Sequence, residues 1–239
     1  MNEKAKGGKS VYGSAVGILV LQARFPRIVG DVGNAETWPF AVHYKVIDGA
    51  SPDRVVRHRA EGLLDAFIDG AHELVAMGAD GVTTTCGFLS PFQNDISAAV
   101  GVPVATSSLM QYGAVQALLP PGKRVGILTI SKASLSAEHL SAAGVPLDAP
   151  VVGMDEQPGE FVRAILGDEP ELDVIAAERD LLKAATALVR SCPETGAILL
   201  ECTNMCPFSA AIAEATGLPV FDMVGFVTWF QGALRPRQY

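Results

Sequence analysis

The apolar positions of the chain fall into short blocks bounded by glycine, proline or polar residues, and the blocks alternate between strand length and helix length. Val16–Leu21 is a continuous apolar run, as expected of a strand buried on both faces. A long loop follows from Gln22 to about Phe40, and Ala41–Asp48 reads as the next strand. From Asp53 to Met77 the residues Leu63, Leu64, Phe67, Ile68, Leu74 and Val75 recur at helical spacing, and Gly78 closes the helix. Gly81–Thr85 is a short strand that runs into Cys86. Ser90 reads as a helix cap with Pro91 at the first helical position, the helix ends near Gly101, and Val102–Thr106 returns as a strand. In the second half, Arg124–Ile130 reads as a strand and Lys132–Ala143 and Leu172–Cys192 as helices. Ala197–Glu201 is a strand that runs into Cys202, and a last helix starts at Asp222. Strands and helices alternating at these lengths predict parallel sheets covered on both faces.

The two halves also match each other. Cys86-Gly-Phe-Leu-Ser-Pro-Phe leads through Ile96 to Gly101-Val-Pro-Val, and Cys202-Thr-Asn-Met-Cys-Pro-Phe leads through Ile212 to Gly217-Leu-Pro-Val. The register has no gap, and each half opens on a Gly-Ile-Leu strand, Gly17–Leu19 and Gly126–Leu128. The period is far too long for a solenoid. The expected fold is therefore α/β, with two pseudo-symmetric lobes, each a mostly parallel sheet flanked by helices, and the active site between them. Residues 1–10 read as a loose tail. Residues 11–108 with the C-terminal helix 222–239 make lobe 1, and residues 109–221 make lobe 2. The final helix is the counterpart of Met110–Leu119.

Composition narrows the class of function. With 49% hydrophobic and 18% charged residues in 239, the chain is a folded globular protein. The net charge of −8 argues against nucleic acid as a partner, which usually requires a basic face. An anionic substrate gains nothing from such a field and has to be held by local donors. No stretch reads as a membrane span, and Met1–Ser10 is polar with no apolar signal core behind it. These features predict a cytoplasmic protein whose four cysteines are free, catalytic or metal-binding rather than disulfide-bonded.

Cys86 and Cys202 are the pair that the repeat singles out. Each sits at the carboxyl end of a strand just before a helix, where ligands of open α/β sheets bind and where a helix N-terminus favours both a thiolate and an anion. A duplication folded about a pseudo-two-fold axis brings the two thiols face to face across one cleft. That geometry suits removal of a proton from one face of a carbon and its return to the other, one cysteine acting as thiolate base and the other as acid. A lone free cysteine is usually a small buried hydrophobe, and the matched strand ends set this pair apart. Cys202 and Cys206 do not have the spacing of a zinc pair and no histidine is near them in the sequence, so no metal is expected. Cys206 matches Ser90, and Cys192 ends a helix before Pro193. His43, His58, His72 and His139 show no partner pattern, and Lys132 reads as a solvated residue of a first helical turn. Gly7-Gly8-Lys9-Ser10 imitates a phosphate loop but lacks its preceding strand and first glycine.

On Thr83-Thr-Thr-Cys86-Gly and Leu200-Glu-Cys202-Thr203-Asn204 the sequence resembles the aspartate/glutamate racemase superfamily, over roughly Val16 to Phe230. That group includes amino-acid racemases without pyridoxal phosphate, hydantoin racemases, maleate isomerases and arylmalonate decarboxylases. The resemblance implies a cofactor-independent enzyme whose small, carboxylate-bearing substrate lies between the lobes. It also implies binding by Thr85, Gly87 and Phe88 on one side and Thr203 and Asn204 on the other, with Gln22 and Ser131 next, and suggests a homodimer. The residues depart from glutamate racemases at Gly87, Phe88, Asn204 and the pair Gln22-Ala23, which points away from glutamate. The loop Arg24–Trp38, with Arg24 and Arg27, either covers the site, carries an anion-binding arginine, or is a packed surface loop. Racemisation or epimerisation is the leading expectation. Decarboxylation or cis–trans isomerisation of the same superfamily is the alternative, and a non-catalytic carboxylate-binding protein is the reading from a different class.

Overall fold

In the computed structural model, which describes residues 7–9 and 11–236, the chain forms two four-stranded parallel sheets of the same order. The first contains β1 (Val16–Leu21), β2 (Val42–Ile47), β3 (Gly81–Thr84) and β4 (Val104–Ala105), ordered β2-β1-β3-β4. The second contains β5 (Arg124–Thr129), β6 (Val151–Gly153), β7 (Thr195–Leu200) and β8 (Val220–Phe221), ordered β6-β5-β7-β8. Every strand pairing is parallel. The expected tail falls mostly outside the described residues; within it, Lys9 bonds the Gly78 carbonyl and pairs with Asp80.

Strand alternation sends the two faces of each sheet to different cores. From β1, Leu19 and Leu21 join a cluster with Phe67, Leu74 and Leu89, while Val16, Ile18 and Val20 join Met223 and Val227. From β5, Leu128 joins the first of these clusters, which runs through both lobes and also holds Ile130, Leu181 and Leu200. Val125 and Ile127 pack instead against Leu109, Tyr112 and Val115. The helices that cover the sheets are α1 (Pro52–Val56), α2 (Leu64–Met77), α3 (Gln93–Val100), α4 (Tyr112–Leu118), α5 (Ala137–Ala142), α6 (Glu160–Leu166), α7 (Val174–Ser191), α8 (Ser209–Thr216) and α9 (Met223–Leu234). α4, which follows the first sheet, packs on the second, and α9, which follows the second, packs on the first. α3 and α8 have equal lengths and end on Gly101 and Gly217, with φ of 65° and 67°. A left-handed residue at this point satisfies the last helical carbonyls, and glycine adopts it without a Cβ penalty.

Several expected elements are shorter or broken. The helix foreseen over Asp53–Met77 is two helices, because the polar segment after Val56 presents no apolar face and turns back through Arg59 and Ala60, both left-handed. Arg54 braces this reversal by donating to the carbonyls of Gly49 and Glu61. The helix foreseen at Lys132 starts only after Ser136, since Asp155 accepts the backbone N–H groups of Lys132 and Ala133 and holds them in a turn. β6 and α6 were not visible as periodic blocks because they are only 3 and 7 residues long and follow Pro150 and Pro158. Among the described residues no helix is long and apolar enough to cross a membrane.

Candidate active site

The two cysteines are placed by equivalent devices. Thr85 N–H donates to Leu19 O and Glu201 N–H donates to Leu128 O, each at 2.9 Å, so both strands stay in register with β1 and β5 for one residue past their ends. Cys86 and Cys202 follow, each heading a 3-10 turn, Gly87–Phe92 and Thr203–Phe208. The lobes are joined at this level. Thr203 Oγ1 donates to Thr85 O at 2.7 Å, and Ser108 Oγ donates to Leu200 O at 2.5 Å.

Cys86 and Cys202 line one small cavity between the lobes, about 20 Å³, which is narrow and partly open to solvent. Thr85, Gly87, Phe88 and Asn204 line it with them. Thr203 lies beside the cavity with its hydroxyl committed to the inter-lobe bond. Gln22 and Ser131 do not face it. Leu21 and Ile130 do, and alternation turns the following residues away. Gln22 instead accepts the Gly49 N–H at 2.8 Å, and Ser131 Oγ bonds Asp155 at 2.8 Å. Ser90 is not a cap: it lies inside the 3-10 turn and donates to the His139 carbonyl across the lobe boundary. A larger surface groove of about 740 Å³ on lobe 2, lined by Lys132, Met154, Gln157, Asp180 and Lys183, contains neither Cys86 nor Cys202.

Two further charged residues line the cavity. Arg27, from the long loop, stacks its guanidinium over Phe25 at 4.8 Å and pairs with Asp31 at 2.9 Å. Asp31 also accepts the Asn204 amide at 2.5 Å, and the Cys202 thiol donates to Asn204 Oδ1 at 3.5 Å. A chain of polar contacts thus runs from the loop to one catalytic candidate. Glu201 is the residue that the sequence pattern did not single out. It follows four apolar residues at a buried strand end and is 0% exposed. Its Oε2 accepts from Thr129 at 2.8 Å and its Oε1 has no partner. A charged residue ending so apolar a strand was the available signal.

The electrostatics differ from the expectation of thiols activated by helix N-termini. α3 and α8 begin only at Gln93 and Ser209, well past the cysteines. Burial and the neighbouring Glu201 carboxylate push both thiols above their ordinary range. The N–H groups of Phe88 and Asn204 oppose this, but neither closes a capping hydrogen bond. Burial also pushes Glu201 up to about 7, against the hydrogen bonds from Thr129 and the Ile130 N–H. One carboxyl that titrates near neutrality stands next to both buried thiols and can exchange protons with them. Among the described residues no cluster of three His, Cys, Asp or Glu side chains is placed to hold a metal ion.

The fold is two-lobed α/β, with the matched cysteines at the carboxyl ends of both sheets as a candidate site. The sequence profile described as Asp/Glu/Hydantoin racemase matches residues 66–230, and the chain belongs to this family. A dimethylsulfoniopropionate lyase of Durusdinium sp. clade D is 27% identical over 223 residues, covering 91% of this chain and 74% of that protein. Dimethylsulfoniopropionate lyase 7 of Emiliania huxleyi is 28% identical over 231 residues, covering 92% and 67%. Among solved structures, arylmalonate decarboxylase superposes with a TM-score of 0.61 at 16% identity, covering 94% of this chain and 93% of that one. Allantoin racemase from Pseudomonas fluorescens superposes with a TM-score of 0.55 at 14% identity, covering 94% and 99%. These two likenesses concern the fold.

Proposed function

We propose that this chain removes the proton α to a carboxylate with a cysteine base, and that the reaction is β-elimination from a sulfonium carboxylate of the dimethylsulfoniopropionate kind. The observation that carries the first step is the pair of buried thiols, Cys86 and Cys202, at equivalent strand ends of one small cavity. The elimination itself is supported by the two lyases that match over nine-tenths of the chain. In this reading one thiolate takes the α proton. The electrons of that C–H bond form the C=C bond of acrylate, and the C–S bond breaks to release neutral dimethyl sulfide. The thiol returns its proton to solvent between turnovers. Exclusion of water keeps the thiolate weakly solvated, which raises its basicity toward a carbon acid.

Racemisation of an amino acid or related carboxylate is the second reading, favoured by the presence of a thiol on each lobe. It shares the first step and differs only in that the second thiol delivers a proton to the opposite face. Incubation with dimethylsulfoniopropionate in heavy water, with headspace analysis of dimethyl sulfide, separates the two. Dimethyl sulfide release is expected, with Cys86→Ser and Cys202→Ser each slowing it by about a hundredfold or more. No release, together with deuterium entering the α-carbon of an amino acid, would replace elimination by racemisation.

A further inference from the structure

Three buried side-chain atoms of the described residues lack a hydrogen-bond partner: Arg27 Nη2, His43 Nε2 and Glu201 Oε1. Two of the three belong to residues that line the cysteine cavity, and they carry opposite signs. Buried polar atoms are almost always paired, so an unpaired donor and an unpaired acceptor on two residues that line one cavity mark positions that a ligand or water fills. We infer that this site takes a zwitterion, with Arg27 Nη2 taking a carboxylate and the Glu201 carboxylate facing a cationic onium or ammonium group, and that the loop carrying Arg27 shifts to admit it, since the cavity as it stands, about 20 Å³, holds about one water. This assignment rests on the reading that the cavity is the reaction site.

The loop holds Arg27 firmly enough to serve as an anchor. Its Nη1 is fixed by Asp31, and Asp31 is in turn satisfied by the Gly33 N–H at 2.7 Å and by Asn204. The guanidinium lies against Gly33, where a Cβ would come within 2.8 Å of Nε, and over the Phe25 ring. Nη2 is buried without a partner and so is left to bond a ligand, and Arg27 is the single cation among the lining residues. A carboxylate there regains the donors that it loses on leaving water. Among the described residues Glu201 pairs with no cation. Its titratable neighbours Cys86 and Cys202 are thiols, and Arg27, the one cation among the lining residues, is committed to Asp31. A ligand cation placed beside Glu201 stabilises its ionised form, so binding near neutral pH drives off a proton.

The probe is 3-(trimethylammonio)propionate, which keeps the carboxylate-to-cation spacing of the sulfonium compound but has a poor leaving group. Its affinity for the full chain is measured by calorimetry at pH 7 beside those of propionate and tetramethylammonium. The zwitterion should bind at least tenfold more tightly than either half-probe, and buffers of different ionisation enthalpy should reveal proton release. Arg27→Met should weaken the zwitterion and propionate at least tenfold. Glu201→Gln should weaken the zwitterion, leave propionate unchanged and abolish proton release. Arg27→Lys keeps the charge without the planar fork and serves if Arg27→Met does not fold, with an intermediate loss expected. Equal binding of zwitterion and propionate by the wild-type chain, or unchanged affinities in the variants, overturns the inference even if dimethyl sulfide is produced. Zwitterion-selective binding without dimethyl sulfide release overturns the elimination reading and leaves the inference standing.

Discussion

At the scale of single residues, Glu201 is a carboxyl that burial makes costly to ionise. In the fold its carboxyl titrates near 7, against an ordinary value of 4.5, chiefly because it is buried. A folded pKa above the unfolded one means that folding takes up a proton. The stabilisation this gives is fully present below about 4.5 and is lost as pH rises through about 7. Glu201→Gln has no such dependence and keeps nearly the same shape. Its unfolding free energy should therefore gain on that of the wild type by about 3 kcal/mol between pH 4.5 and pH 8, as measured by urea titration at each pH. A difference that does not change with pH would mean that the fold leaves the Glu201 carboxyl at its ordinary value. Gly87 bears on the same group by close approach: a Cβ there would lie 2.2 Å from Glu201 Oε1 and 2.5 Å from its carbonyl oxygen. Gly87→Ala should thus destabilise the fold by about 1–3 kcal/mol and displace the carboxyl, visible as a lowered midpoint in thermal unfolding. Cys86 and Cys202 were legible in the sequence because the repeat placed them in register. Glu201 was not, because its partner in the repeat is Thr85 and repetition conceals a residue that only one half needs.

At the scale of elements, the decisive segment is the loop between β1 and β2. Sequence patterning found it as a long unperiodic stretch and left three roles open for it, since its order comes from side chains rather than from periodicity. Trp38 donates to Val32 O and Tyr44 Oη, Asn34 Nδ2 donates to Arg27 O, and Thr37 Oγ1 accepts from Gly30 N–H. The loop is also tied to lobe 2, where Asp168 Oδ1 accepts Arg24 N–H at 2.6 Å and Phe25 N–H at 3.4 Å. Asp168 is left-handed at φ 53°, so Asp168→Gly removes the acceptor while relieving the backbone. The fold should lose little stability. The loop end carrying Phe25 and Arg27 should open more often, and iodoacetamide should alkylate Cys86 and Cys202 several-fold faster than in the wild type. Unchanged alkylation rates would show that access to the thiols does not run through this loop. The broken helix after Val56 escaped sequence reading for a related reason. Apolar residues on both sides kept a common helical phase, and only the two left-handed positions at Arg59 and Ala60 end the first helix.

For the whole molecule, the question is whether two lobes that repeat each other also behave as two domains. The repeat alone suggests two units of similar size, each with its own sheet. The packing couples them instead. α4 and α9 are exchanged between sheets, and one apolar cluster runs from Phe67 and Leu19 in lobe 1 to Leu128 and Leu181 in lobe 2. The strand ends are bonded across the boundary by Thr203 and Ser108, and the surface adds an Arg59–Glu138 ion pair. Cutting the lobes apart exposes this cluster as well as the site. Burial of each large side chain such as Phe67 or Leu128 is worth about 1.5–3 kcal/mol, comparable in sum to the whole stability of a domain. Neither lobe has that margin to lose, so unfolding should be a single cooperative transition. Trp38 is buried in lobe 1 and Trp229 is exposed, so the fluorescence change on unfolding reports chiefly the environment of Trp38. Far-UV circular dichroism reports helices of both lobes, with α7 the longest of them in lobe 2. The two probes should give superimposable urea curves with the same midpoint and slope. Separate midpoints, with fluorescence leading or trailing, would mean that the lobes unfold independently and that the exchanged helices contribute less than their buried area implies.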